Sequence, residues 1–133
     1  MDNRIILNDF EKALGNLEVA ISVPAETDLE KAGCIQYFEF CFELAWKSVQ
    51  AFARELGFSE CHSPKACLKQ AFSQHWLSDE VLWLEMLSDR NRMAHTYNAA
   101  DAMKVYESLN KYLPAFQNLL KSLKAELDRW AYQ

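Results

Sequence analysis

Residues 99–130, AADAMKVYESLNKYLPAFQNLLKSLKAELDRW, decide the fold. Ala99, Ala102, Tyr106, Leu109, Leu113, Phe116, Leu120, Leu123, Leu127 and Trp130 step by three and four in strict alternation. That is the spacing of an apolar seam along an amphipathic helix. The seam runs in phase straight through Pro114. A proline inside a helix deletes one backbone hydrogen bond and crowds the preceding turn, at about 3 kcal/mol. The unbroken phase predicts one helix kinked near Pro114, or two halves joined with little change in direction.

A one-sided helix of this length needs partners, and the rest of the chain supplies them. Ile6, Phe10, Ala13, Leu17 and Ile21 form a helical stripe, with Pro24 just beyond its end. Thr27-Asp28-Leu29-Glu30 is a capping-box pattern, and Gly57 marks a helix stop. Between them Ile35, Phe38, Phe42, Ala45, Val49, Phe52 and Leu56 share a face. Tyr37, Phe40, Cys41, Leu44 and Trp46 widen that face, which predicts burial on several sides. Glu39, Glu43 and Lys47 fall on one line, read as a Glu43–Lys47 ion pair rather than a carboxylate site. Ser63-Pro64 opens a short helix with Cys67 or Leu68, Ala71, Phe72 and His75 or Trp76 inward. Ser78-Asp79-Glu80 opens another, carrying Leu82, Trp83, Met86 and Leu87 and running into RNRMAHTYN. Strand-like alternation is absent. The expected fold is all-α: an up-and-down four-helix bundle with one extra short helix, in a single domain over residues 1–133.

Composition removes several functions. The 133 residues carry 14 Lys and Arg against 19 Asp and Glu, a net charge of −5. This disfavours duplex DNA as a partner, although a local basic site is still allowed. Only three glycines occur, with no Gly-x-Gly, so phosphate-loop and dinucleotide-binding readings fall. No apolar run nears the roughly 18 residues that span a bilayer, and MDNRIILNDF has no signal-peptide core. A cytoplasmic location without membrane contact is expected. In that reducing setting Cys34, Cys41, Cys61 and Cys67 read as small core-filling thiols. The set Cys61, His62, Cys67, His75 matches no standard zinc spacing, so no metal site and no cofactor are expected. Eight Phe, four Trp and five Tyr are many for such a bundle, which predicts surface aromatics at a subunit interface.

One segment concentrates chemistry. Asp89-Arg90-Asn91-Arg92-Met93-Ala94-His95-Thr96-Tyr97-Asn98 places two guanidiniums, an imidazole, a phenol and two amides at a helix end. A guanidinium is a planar fork for phosphate, and an imidazole titrates near neutrality. Together they suit metal-free phosphodiester chemistry, with Arg90 and Arg92 as phosphate or nucleotide ligands and His95 as acid or base. At about 100° per residue Asn91 stacks under His95, while Arg90 lies about 140° from His95 and reaches the same site only through its length. A single imidazole is thin for acid–base work. Two copies meeting on a two-fold axis would supply a pair. The competing structural reading gives Arg90 or Arg92 to Asp89, Glu85 or backbone carbonyls, and His95 to the helix dipole.

The segment resembles the Arg-x4-His-x-Tyr motif of HEPN-domain proteins through Arg90, Asn91, His95 and Tyr97. YFEFCFELAWK (37–47), SPKACLKQAF (63–72), WLEMLSDRNRMAHTYN (83–98) and YLPAF (112–116) resemble, in order, the HEPN subgroup called nucleotidyltransferase substrate-binding proteins. The resemblance implies a helical bundle that forms a homodimer and binds a minimal nucleotidyltransferase encoded beside it. It also implies metal-independent endoribonuclease activity of a toxin–antitoxin type, restrained by that partner. Carried over, Arg90 would hold phosphate, His95 would act as acid and base, and Asn91 would assist. Tyr97 would be the site of nucleotidyl modification. The chain cannot itself be the transferase, having neither a Gly-Ser dipeptide nor an Asp-x-Asp pair. The alternative function is a non-catalytic subunit that binds nucleotide or substrate for the transferase, and the acidic balance leans that way. A scaffold without a site is the third reading.

Overall fold

The computed structural model describes residues 2–58, 61–95 and 98–131, with the backbone alone at His95. Among these residues the chain is helical throughout, with α1 (Asn3–Ala20), α2 (Asp28–Glu55), α3 (Pro64–Ser73), α4 (Glu80–His95) and α5 (Ala99–Ala131). The all-α bundle expected from the sequence is the fold.

Helix starts are set by short side chains that accept orphan amides. Asp2 accepts from Arg4, Thr27 from Glu30, Ser63 from Ala66 and Asp79 from Leu82. Glu30 returns its carboxylate to Thr27 Oγ1 and to the Glu26 amide, one residue before the cap, a variant of the capping box. The stop after α2 is Gly57, whose φ of 86° suits a residue without Cβ. His75 takes the equivalent left-handed turn after α3, at φ 62°.

Paired residues give the topology. Cys34 lies beside the Ala20 carbonyl, Gln117 beside Glu18 and Lys124 beside Glu11, so α1 runs antiparallel to α2 and α5. Lys111 meets Glu85 and Arg92 faces Asp101, so α4 and α5 are antiparallel as well. Phe38 stacks on Tyr112 at 5.5 Å, Phe52 lies 5.2 Å from Trp130, and α2 and α5 run together. Phe10, Phe38, Phe42, Trp83 and Phe116 form the centre of the core, with ring centroids 5.4–6.4 Å apart between neighbours. No helix among the described residues is long and apolar enough to cross a membrane.

Three expectations are corrected. On α5 the buried line is Val105, Leu109, Tyr112, Phe116, Leu119, Leu123 and Glu126, while Tyr106, Leu113, Leu120, Leu127 and Trp130 are half-buried flanks. The seam is rotated because Tyr112 and Glu126, polar at their tips, bury their stems and find partners inside. Glu126 accepts from the indole N–H of Trp76 (3.4 Å) and Trp130 (3.1 Å) and from Arg129 (2.5 Å). On α2 and α3, Tyr37, Phe40 and Phe72 are exposed rather than inward, because no helix covers those faces; His75 is exposed and Trp76 buried. Finally, Cys61 and Cys67 are not separate thiols but a disulfide, Cα to Cα 4.8 Å. The Ser63-Pro64 turn folds the chain back, and Gln50 Nε2 holds the Cys61 carbonyl at 2.8 Å. Cys34 and Cys41 do behave as buried core thiols, and burial, with the charge of Glu18, pushes Cys41 up to about 12.

Helix α5 is continuous through Pro114. Pro114 and Asn110, whose carbonyl loses its donor, are both on the exposed side, where the carbonyl is open to solvent.

Burial raises the Glu126 carboxyl, but hydrogen bonds from Arg129 and Trp76, the Arg129 charge and the Trp130 bond outweigh it, leaving the group below its usual value. Its contribution to stability is therefore present above the ordinary pKa of 4.5 and is lost as pH falls through the lowered value. Glu126→Ala is expected to cost about 1–3 kcal/mol at neutral pH by leaving the indole donors unpaired. Urea unfolding at stepwise lower pH should show this margin shrinking below the ordinary value. A margin independent of pH would contradict the assignment.

Candidate functional site

The motif segment sits where α4 ends against α2 and α5, and its polar residues divide into two groups. Asp89, Arg92 and Asn98 build the corner. Asp89 is buried, accepts from Tyr112 Oη at 2.5 Å through one oxygen, and binds Arg92 Nη2 through the other. Burial pushes the Tyr112 phenol well above its usual range, and the Asp89 carboxylate adds to this, so the phenol stays a donor. Arg92 also faces Asp101 at 4.0 Å. Asn98 Oδ1 accepts from the Ala100 and Asp101 amides at 2.9 and 3.1 Å, which caps α5. Asn98 is thus committed to folding, and Arg92 is engaged by two carboxylates.

Arg90 points the other way, to α2. Its Nη2 donates to Glu43 Oε2 at 2.7 Å and its Nη1 to Asn91 Oδ1 at 3.2 Å. Glu43 also binds Lys47 at 3.0 Å and accepts from the Trp46 indole at 3.0 Å. Burial raises the Glu43 carboxyl, yet those two hydrogen bonds and the charges of Lys47 and Arg90 bring it below its usual value. Asn91 and Arg90 are therefore in contact. His95 closes α4 one helical turn beyond Asn91. Its side chain, and Tyr97 altogether, lie outside the described residues.

Sequence reading missed the carboxylates that face Arg90. The Glu43–Lys47 pair is present, but Glu43 also carries Arg90 from 47 residues away. Glu39, one turn earlier, is raised by burial and opposed by the Arg90 charge. The only sequence signal was the alignment of Glu39 with Glu43 on a helix otherwise crowded with apolar residues. Beside this cluster a groove of about 260 Å³ runs between α2 and the α4–α5 junction, with Glu39, Ile35, Met93 and Met103 in its walls.

Comparison with known proteins identifies the family of the chain. Residues 6–125 match the family described as nucleotidyltransferase substrate binding protein like. A Haemophilus influenzae protein named probable ribonuclease HepT is 29% identical over 139 residues, spanning 93% of this chain and 95% of its own. A crystal structure from Thermus thermophilus superposes with a TM-score of 0.79 at 34% identity, covering 86% of this chain and 98% of that one. A Haemophilus influenzae structure, described as revealing the fold of a substrate-binding domain of a nucleotidyltransferase, superposes at 0.75 with 28% identity over 89% and 98% of the two chains. The chain belongs to the nucleotidyltransferase substrate-binding family.

The two arginines should separate on mutation. Asp89→Asn is expected to cost about 1–3 kcal/mol, since a buried acceptor of two bonds is altered. Arg92→Ala should cost clearly less than Asp89→Asn, because its guanidinium is nearly half exposed and its ion pair is screened by solvent. Chemical denaturation measures both, and equal losses would show that Arg92 is as structural as Asp89.

Proposed function

We propose that this chain is the helical subunit of a two-component system with a minimal nucleotidyltransferase, and that it is a metal-independent endoribonuclease restrained by that partner. The observation that supports this most is the setting of Arg90. Its guanidinium is half-buried, fixed by Glu43 and Asn91, and carried on the same helix end as His95. A guanidinium kept near one place by a carboxylate that has other donors can exchange that partner for a phosphate and stabilise a charged phosphorus centre.

In this reading an RNA phosphate docks on Arg90. An imidazole accepts the proton of the adjacent 2′-hydroxyl, whose oxygen attacks phosphorus. The bond to the 5′ oxygen breaks, and that oxygen takes a proton from a second imidazole. One chain has one His95, so the second comes from another copy in a homodimer. Exposed Tyr37 and Phe40, neighbours on the uncovered face of α2, support a self-association surface. Restraint falls on Tyr97: its phenol gives its proton to a base of the partner's site, and its oxygen attacks the α-phosphorus of ATP bound there, releasing pyrophosphate. The new phosphodiester would put negative charge beside Arg90 and compete with substrate.

The alternative, a subunit that holds nucleotide for the transferase without cleaving it, also has support. Arg90 is already neutralised by Glu43, and the net charge is −5. Both readings expect a cytoplasmic, soluble complex.

Light scattering at micromolar concentration should give about 31 kDa, twice the 15.4 kDa chain. A monomer at high concentration would remove the shared-site mechanism. In RNA cleavage assays with chelator present, Arg90→Ala and His95→Ala should each lose at least about a hundredfold, while Tyr97→Phe should stay active and gain no AMP from the partner and ATP. Wild-type cleavage by His95→Ala would sink the catalytic assignment. If the wild type cleaves no RNA but co-purifies with the transferase and binds nucleotide, the binding-subunit reading stands instead.

A further inference from the structure

We infer that the groove beside Arg90 is a subsite for a guanine base of the bound nucleic acid, read by Glu39. The inference rests on Arg90 as the phosphate ligand and adds what sits next to that phosphate. Three observations converge. The first is position: Met93 lies one helical turn past Arg90 on α4 and forms a wall of the groove, while Glu39, on the facing wall, is within the field of Arg90. A base attached to a phosphate at Arg90 therefore has this groove as its neighbour.

The second is size and lining. At about 260 Å³ the groove is smaller than most sites for larger ligands and matches a single flat ring system. Ile35, Met93 and Met103 give it apolar walls, and thioethers pack well on aromatic faces.

The third is the polar edge. Glu39 is half-buried and makes no hydrogen bond to another described residue, although burial disfavours its charge. A desolvated carboxylate gains most from two parallel N–H donors. Among the common bases only guanine presents such a pair, at N1 and N2. Adenine and cytosine offer one amino group and uracil one ring N–H. Gln36, one turn before Glu39 and also in the wall, carries an amide that can donate to guanine O6. Both groups that read the base thus come from α2, and the phosphate ligand comes from α4.

The chain has four methionines, which makes methyl NMR a local reporter. Titration of the full chain with 5′-GMP should shift the Met93 and Met103 methyls by ring current and leave the buried Met86 methyl in place. Affinity for 5′-GMP should exceed that for 5′-AMP and ribose 5-phosphate by about tenfold or more. Glu39→Gln should erase the preference for GMP and keep ribose 5-phosphate binding. Ala32→Trp, at an exposed position in the groove wall, should reduce GMP to the level of ribose 5-phosphate. Equal affinity for GMP and AMP, or a preference that survives Glu39→Gln, would overturn the subsite. If Arg90→Ala leaves ribose 5-phosphate binding intact, the phosphate assignment falls instead, and a retained GMP preference would still locate the base in the groove.

Discussion

The corner between α4 and α5 depends on one buried carboxylate. Asp89 cannot keep a charge away from water unless donors meet both of its oxygens. Tyr112 from α5 meets one and Arg92 from α4 meets the other. This fixes the rotation of α4 about its own axis. With Asp89 turned to α5, the next residue, about 100° further round, is carried toward α2, where Glu43 receives it. The positions of Arg90, Asn91 and Met93 all follow from that rotation. The same bond explains why a tyrosine lies in the core of α5, stacked on Phe38.

Much of the fold was legible because its signals are local. Thr27 with Glu30, Ser63 before Pro64 and Asp79 before α4 each act within four residues, and each is found bonded as its spacing suggests. The α2 face from Ile35 to Phe52 is buried as its periodicity indicated, though Leu56 at its end is exposed. Periodicity tells which side of a helix is apolar, and not how far the helix turns against its neighbours. That is why the α5 seam was misplaced by part of a turn. Tyr112 and Glu126 have no place in the seam read from the spacing, and the partners that hold them inside, Asp89, Trp76 and Trp130, are set by packing. The Cys61–Cys67 bond escaped for a related reason: six residues separate the two, and only the turn at Ser63 brings them together.

The site was legible in composition and not in geometry. Two arginines and a histidine within six residues pointed to phosphate chemistry, and it was the resemblance to the Arg-x4-His-x-Tyr motif, not the chemistry of the segment, that singled out Arg90 over Arg92. The physical distinction comes from their carboxylate partners, of which only Glu43 lies far along the chain. Arg92 is held by Asp89 and Asp101, which tie α4 to α5, so its charge serves the corner. Arg90 is held by Glu43, whose carboxylate it shares with Lys47 and Trp46. A half-exposed carboxylate with three donors loses less when one departs than the buried Asp89, which has two. Of the two guanidiniums, Arg90 is accordingly the one that can turn to a new anion at lower cost.

Charge balance then sets the terms of binding. Glu39, Glu43, Asp89 and Asp101 surround the two arginines, so the cluster carries no surplus of positive charge among the described side chains. A phosphate arriving at Arg90 competes with Glu43 and is repelled by Glu39, and Coulomb attraction alone gives little affinity. Selective binding under these conditions has to draw on contacts that a bare phosphate cannot make. The groove offers them: apolar walls to cover a ring, and in Glu39 a carboxylate whose repulsion turns to attraction when the group facing it is an N–H edge. On the proposed reading, the acidic surroundings that weaken the site for a generic anion would also favour a ligand that brings donors along with its phosphate.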